Sequence, residues 1–320
     1  MATATLLLPA RARFGGQRLS DATGRCLARA DLAQATDATS PLERETAQLR
    51  RVLDVLPRGW PVAAAARQRD AGDAGTSLWL RADPAYVRPD INGARLLSYG
   101  RALSLSAADT QELLKPLKPL FGDSGCPIDA PEPSRWYLRL ADGVTLPEFA
   151  SPEQALGTDL FDQLPDGPEG RRWRALLSEA QVVLHNHPLN QQRAAAGLAP
   201  VNSLWFWGAG RLPDRVQCHY GRVARDDETL SSLVPLSGAD LAGLPASWSM
   251  HDGDALFDLR HARDMIVLER DWFAPMLAAL ADKRLERVDF DFADGAVYSA
   301  RRTQRWRFWR KPLPSFIGVA

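Results

Sequence analysis

The chain has 320 residues, with 39 basic and 39 acidic side chains that cancel, 45% hydrophobic residues and 24% charged ones. That composition belongs to a folded globular protein of about two domains, and excludes disordered, collagen-like and small disulfide-built classes. With no net charge there is no global field to hold nucleic acid or an anionic membrane, and neither is expected as a partner.

The apolar run Leu6-Leu7-Leu8, bounded by Pro9 and Arg11, is too short for a signal-peptide core, and no window approaches a membrane span, so the sequence predicts a cytoplasmic protein. Cys26, Cys126 and Cys218 are odd in number and far apart, which argues against a disulfide framework or a cysteine-rich zinc site. Only Lys115, Lys118, Lys283 and Lys311 among the basic residues are lysines, a codon-level bias that lowers the information carried by any one arginine. Asparagine is equally scarce, yet Asn186, Asn190 and Asn202 fall together beside His185 and His187.

In chain order, a strand is predicted from Thr3 to Leu8, then a helix capped by Ser40-Pro41-Leu42-Glu43 and running to about Leu56. Strands follow at Ser77 to Ala82 and on either side of an Asn92-Gly93 turn. A helix capped at Ser106 to Asp109 should be limited by Pro116 and Pro119. In the strand Ser134 to Leu140, Trp136, Leu138 and Leu140 should face the core while Arg135, Tyr137 and Arg139 form a basic, polar face.

The clearest helix runs from about Glu169 to Leu184, with Trp173, Leu176, Leu177, Ala180, Val183 and Leu184 on one stripe. A short helix from Pro188, a strand Val201 to Trp207 ended by Gly208-Ala-Gly210, and a strand near Val216 to Val223 come next. A helix from about Asp271 and a hairpin on Asp294-Gly295 complete the reading, with Asp289 and Asp291 placed to pair with Arg301 or Arg302 across that hairpin.

The segment His185-Asn-His187-Pro-Leu-Asn190-Gln-Gln-Arg193, then Gly197, Pro200-Val-Asn202 and Gly208-Ala-Gly210, concentrates hydrogen-bond donors at helix ends and a glycine turn. Two readings stand: donors converging on an anion, or side chains capping helices and satisfying tight turns. His251-Asp252-Gly253-Asp254, with Asp258 and His261 near, reads either as a metal-ligand remnant or as a polar turn. The tail from Arg301 to Lys311 interleaves six positive charges with Trp306, Phe308 and Trp309, which fits a protein partner or a terminal strand that buries the aromatics.

The string His187-Pro188-Leu-Asn190, Arg193, Gly197, Pro200-Val-Asn202, Gly208-Ala-Gly210 resembles the inserted domain of archaeal-type, cofactor-independent phosphoglycerate mutases, over about residues 72 to 215. Phosphoglycerate-mutase-related or regulatory proteins of proteobacteria share Arg81 to Pro84 and Asn202 to Trp205. The resemblance implies an α/β fold: a reduced alkaline-phosphatase-like core from residues 1–71 and 216–320, and an inserted α+β lid-like domain from 72–215.

Relatives of that type isomerise phosphoglycerates on a two-metal centre, and this chain departs where ligands and nucleophile are expected, beginning Leu6-Leu-Leu-Pro-Ala-Arg. The implied function is therefore binding without turnover. A small phosphorylated or carboxylated metabolite would be held by Arg81, Arg139, His185, His187, Asn190, Arg193, Asn202, Gly208 and Gly210, without cofactor, in a regulatory or interaction role. The alternative is an active mutase or phosphatase with Mn or Zn on a rearranged set, His251, Asp252, Asp254 and His261.

Overall fold

Seven consecutive buried residues, Ala2–Leu8, form β1, the central strand of the first of two compact units. The computed structural model describes residues 2–34, 46–90 and 93–316. One unit comprises Met1–Val55 with Arg215–Ala320, and the other, Leu56–Asp214, is inserted between those halves.

The first half carries β1, β2 (Asp31–Gln34) and β3 (Leu53–Leu56). The insert carries β4 (Leu78–Asp90), β5 (Gly93–Tyr99), β6 (Ile128–Glu132), β7 (Arg135–Leu140) and β8 (Ser203–Gly210). The chain then returns with β9 (Arg215–Cys218), β10 (Arg222–Arg225), β11 (Asp240–Gly243), β12 (Asp254–Asp258), β13 (Leu285–Phe292) and β14 (Ala296–Arg301). The principal helices are α1 (Asp21–Arg29), α2 (Val62–Ala71), α3 (Ala107–Asp123), α4 (Gly167–His185), α5 (Pro188–Ala195) and α6 (Ala274–Ala281).

The first unit holds a seven-stranded sheet in the order β11-β10-β12-β1-β13-β14-β2. Strands β11 to β13 run parallel, and β14 and β2 are added antiparallel. Residues paired in register in a parallel sheet share a face. Ala4, Leu6 and Leu8 therefore lie with Ala255, Phe257, Val288, Phe290 and Phe292 on one face. There Leu27 of α1 and Met276, Ala279 and Leu280 of α6 complete a buried apolar core. The opposite face carries Thr3, Thr5, Leu7, Asp258, Asp289 and Asp291, so the carboxylates of β12 and β13 at this level sit on one side of the sheet.

The insert is built on β4, which pairs antiparallel with β5, β7 and β8. Its larger core joins Leu113, Leu117 and Phe121 of α3 and Trp173, Leu177 and Leu184 of α4 to Leu80, Trp136, Leu138 and Phe206. The small face of α2, Ala63, Ala64 and Ala66, packs with Trp79 and Tyr137 in a second cluster.

Several sequence expectations change. The capping box at residues 40–43 lies outside the described residues; residues 46–47 are helical, but the helix expected to reach Leu56 gives way to a short 3-10 turn, Leu49–Arg51, followed by β3. Leu53 and Val55 point inward and Asp54 and Leu56 outward, a strand alternation that pairing with β9 selects. Helix α3 runs through Pro116 and Pro119, because the carbonyls those rings displace belong to exposed Glu112 and Lys115 and can turn to water.

The strand near Val216 to Val223 is two strands, β9 and β10. The turn residue Asn92 lies outside the described residues, while β4 and β5 on either side of it pair antiparallel. The second compact unit starts at Leu56 and includes α2, which packs on β4 and β8. Among the described residues no helix is long and apolar enough to cross a membrane.

Candidate functional site

In an open parallel sheet the loops beyond the carboxyl ends of the strands are where ligands bind. In the first unit that edge brings together Asp258, the last residue of β12, and Asp291, next to last in β13, each paired in register with Leu7 of β1. Both carboxylates are buried, at 2% and 4% exposure.

Arg260 turns back onto the end of its own strand. Its Nε donates to Asp258 Oδ1 at 2.8 Å and its Nη2 to Oδ2 at 2.7 Å, while its backbone N–H also donates to Oδ1 at 3.2 Å. The same Nη2 lies 3.1 Å from Oδ2 of Asp227, whose Oδ1 accepts the Leu230 N–H at 2.7 Å and caps a short helix. Burial raises both carboxyls; Arg260 more than offsets this at Asp258 and leaves its pKa lowered, whereas Asp227, also facing Asp258, stays raised. The result is a buried carboxylate–guanidinium–carboxylate triad.

On the other side of β1, Arg51 grips Asp291 with Nε to Oδ2 at 2.7 Å and Nη2 to Oδ1 at 2.5 Å. Gln48 ties the arrangement to the sheet by donating to Leu8 O at 3.1 Å and to Asp291 O at 2.7 Å. Burial still pushes the Asp291 carboxyl up, against the pull of Arg51 and Gln48. Asp289 pairs with Arg287 on its own strand at 2.9 Å. The expected pairing of Asp289 and Asp291 with Arg301 or Arg302 is thus overturned, because the hairpin register sets them opposite Ser299 and Val297.

A pair of divalent cations needs several anionic or imidazole ligands with lone pairs free to converge. Here both oxygens of Asp258 and both of Asp291 are already held by guanidinium groups. Among the described residues no three His, Cys, Asp or Glu side chains are grouped to hold a metal ion. The residues at this edge do not fit a two-metal centre.

The rearranged set His251, Asp252, Asp254 and His261 does not converge either. Asp254 begins β12 and accepts the Thr3 N–H at 3.1 Å, whereas His261 lies beyond the strand's far end, which is about 13 Å away at some 3.3 Å per residue. Asp252 is exposed. His251 packs its ring against Trp248 and Phe257, at centroid distances of 6.2 and 5.4 Å, and burial lowers its pKa.

The donor-rich segment of the insert serves the insert itself. Asn190 Nδ2 donates to Leu184 O at 2.7 Å and to Val201 O at 2.9 Å, and its Oδ1 accepts the Val201 N–H at 2.8 Å. One amide thereby joins the end of α4, the start of α5 and the approach to β8. Arg193, 3% exposed, donates to Ala199 O at 2.9 Å and Leu103 O at 2.5 Å. Asn202 donates to Val87 O at 2.7 Å and accepts the Val87 N–H at 2.9 Å, acting as one more peptide unit in the ladder beside β4. His187 caps α5, its Nδ1 accepting the Leu189 N–H at 3.2 Å; His185 is exposed in the last turn of α4.

Arg81 is buried and bidentate to Asp83 at 2.9 and 2.8 Å, and Asp83 also accepts Trp207 Nε1 at 2.8 Å. Its guanidinium lies 5.4 Å from the Tyr137 ring and 5.2 Å from that of Trp207. Arg67 sits likewise between Trp79, at 4.8 Å, and Tyr137, at 5.6 Å. Cations and rings thus alternate beneath α2, and the face of β7 expected to be polar has Tyr137 fully buried, with only Arg139 exposed. Gly208 has φ +66°, and a Cβ on Gly210 would come within 2.5 Å of Pro61, so these glycines allow close approach of the chain entering α2. Of the nine residues expected to grip an anion, Arg81, His187, Asn190, Arg193 and Asn202 make hydrogen bonds within the protein.

The residues that do meet at the sheet edge, Gln48, Arg51, Asp227, Arg260 and Asp291, were not singled out as a site from the sequence. The only local signal is an apolar strand ending in Asp258-Leu-Arg260.

The parallel sheet with acidic residues at its carboxyl edge defines a mixed α/β protein. No protein-family model matches the chain. Its homologues are 2,3-bisphosphoglycerate-independent phosphoglycerate mutases, and the similarity covers only part of it. It is 25% identical over 159 residues to the probable enzyme of Geobacter sulfurreducens, covering 50% of this chain and 39% of that protein. It is 36% identical over 159 residues to that of Methanosarcina barkeri, covering 45% and 39%. With the Methanothrix thermoacetophila enzyme it shares 32% identity over 103 residues, 32% of this chain and 25% of that one.

The chain thus spans at most 39% of the length of these curated relatives. Among solved structures, the cofactor-independent enzyme of Thermoplasma acidophilum aligns with 94% of this chain and 90% of its own at 15% identity and a TM-score of 0.40. A Pyrococcus horikoshii protein aligns with 94% and 87% at 12% identity and 0.45. Likenesses of that size add nothing to the sequence relationship.

Proposed function

We propose that this protein is a phosphoglycerate-mutase relative that has lost the di-metal centre and works by binding: it holds a small phosphorylated or carboxylated metabolite in a regulatory or interaction role. The observation that carries this reading is Arg260 lying between Asp258 and Asp227 at the carboxyl edge of the sheet. A guanidinium on a covalent tether neutralises the carboxylates permanently and offers five N–H donors but no open coordination position. Arg51 on Asp291 repeats the device one strand beyond β1.

The deciding experiment is a coupled assay of 3- to 2-phosphoglycerate conversion with Mn2+ or Zn2+ added to the purified chain. Activity at background with either metal is expected. Sustained isomerisation that disappears in Asp258→Asn would overturn the reading.

A further inference from the structure

On the face of the first sheet that carries α1 and α6, opposite the carboxylates, is a cavity of about 290 Å3. Its walls are Arg25, Cys26 and Arg29 of α1, Leu277 and Leu280 of α6, and Arg301, Arg302, Gln304 and Arg305 at the end of β14 and in the 3-10 turn after it. Five guanidinium groups line it, and among the described residues no carboxylate does.

Two of the five have partners outside the cavity: Arg25 reaches Asp21 at 2.8 Å, and Arg301 lies 3.5 Å from Asp31, which Arg307 already holds at 2.6 Å. Arg29, Arg302 and Arg305 have no carboxylate partner among the described residues. The Nε atoms of Arg29 and Arg302 are buried without a hydrogen-bond acceptor, and Arg305 has only the Trp306 ring, at 4.7 Å. A buried charged donor left without an acceptor costs on the order of 1–3 kcal/mol or more, so convergence of several in one cavity is a standing demand for anionic oxygen. Planar guanidinium forks meet that demand best with phosphate or carboxylate, two donors to one group. Leu277, Leu280 and the Cys26 thiol, which burial pushes up to about 12 and so keeps neutral, give the cavity an uncharged floor.

We propose that this cavity binds a small soluble polyanion, a molecule of metabolite size carrying two or more phosphate or carboxylate groups around a short carbon skeleton. The site goes beyond the reading of the sheet edge and stands on different residues, so a metal-dependent activity at that edge would sink the functional reading without touching this one.

The test is calorimetry of the full chain with pyrophosphate and with 3-phosphoglycerate as probes, in low and in physiological salt. Binding is expected for at least one probe, weakening steeply with salt. It should fall at least tenfold in Arg29→Ala/Arg302→Ala and in Arg305→Glu, the second variant altering an exposed residue that leaves folding intact by circular dichroism. Bound probe should also slow alkylation of Cys26. Absence of heat with both probes at millimolar concentration overturns the proposal, as does unchanged affinity in Arg305→Glu. Sedimentation of the chain with phosphatidylglycerol vesicles in the absence of any small-anion binding overturns it too, assigning the arginines to a lipid surface.

Discussion

Asp258 and Asp291 stand at one level of the first sheet, each in register with Leu7 on the strand between them. Two strand spacings, about 9.5 Å, therefore separate their backbones, and the fully buried Leu7 lies between. Each carboxylate has been given its own guanidinium, Arg260 on one side and Arg51 on the other. The edge where a parallel sheet presents its chemistry is in this way closed into two internal ion pairs.

The Arg260 pairing is accordingly an element of stability. Arg260→Ala leaves Asp258 and Asp227 buried without their cation, a change that costs about 3–5 kcal/mol at such sites. Urea unfolding should show a midpoint lowered correspondingly, with Arg260→Lys recovering only part, because an ammonium cannot make the two parallel bonds. A wild-type midpoint in Arg260→Ala would show the triad to be energetically silent.

Asn190 is predicted to act through the backbone it joins. Asn190→Ala removes three hydrogen bonds and leaves the Leu184 and Val201 carbonyls buried, a loss on the order of 2–4 kcal/mol. The isosteric Asn190→Asp sets an oxygen against both carbonyls and should be at least as damaging. Thermal melts of the two variants beside wild type check this; an unchanged melting temperature in Asn190→Asp would leave the clamp without energetic weight.

Arg81 should not tolerate replacement by lysine. Its fork serves Asp83 while its plane lies over Tyr137 and Trp207, and an ammonium reproduces neither geometry. Arg81→Lys is expected to lose roughly 1–3 kcal/mol by denaturant unfolding, the scale of a charged hydrogen bond. A variant as stable as wild type would remove the alternating stack from the account of the insert.

Acid should weaken the insert through Asp70. Burial tends to raise this carboxyl, but Arg135 at 2.6 Å and Tyr137 at 2.5 Å hold it below its ordinary value. A carboxyl with a depressed native pKa contributes stability that is present above the unfolded value of about 3.9 and is lost as pH falls through the native one. Asp227 and Asp291, whose pKa values are raised, act with the opposite sign: their stabilising share is present at low pH and disappears as pH rises from about 3.9 through their native values. Unfolding free energy measured from pH 6 downward should therefore fall less steeply below pH 4 in Asp70→Asn than in wild type; identical slopes would assign the acid loss elsewhere.

What could be read from the sequence was local. The stripe of α4 and the Ser106 capping box needed only neighbours three or four residues apart, and both are present. Leu49, Leu53 and Leu56 fit a helix equally well, but pairing with β9, far away in sequence, makes the last two part of a strand. Of the two readings of the tail, a terminal strand would bury its aromatics, yet Trp306, Phe308 and Trp309 are 66%, 77% and 68% exposed. There the chain is held by Arg307 and Arg310 donating to the carbonyls of Arg29 and Ala28 at the end of α1. The sheet-edge site was hidden for the same reason of distance: Arg51 and Asp291 are 240 residues apart. The donor-rich segment left two readings open because asparagines that repair a backbone and asparagines that hold a ligand look alike in one dimension; Asn190 and Asn202 bond backbone groups.

The most direct test of the central claim is the metal stoichiometry of the full chain after equilibrium dialysis against Mn2+ or Zn2+, read by elemental mass spectrometry. With Arg260 and Arg51 standing on the sheet-edge carboxylates, less than one tenth of an equivalent should stay with the protein. Two equivalents retained by the wild type and lost in Asp258→Asn would contradict the account.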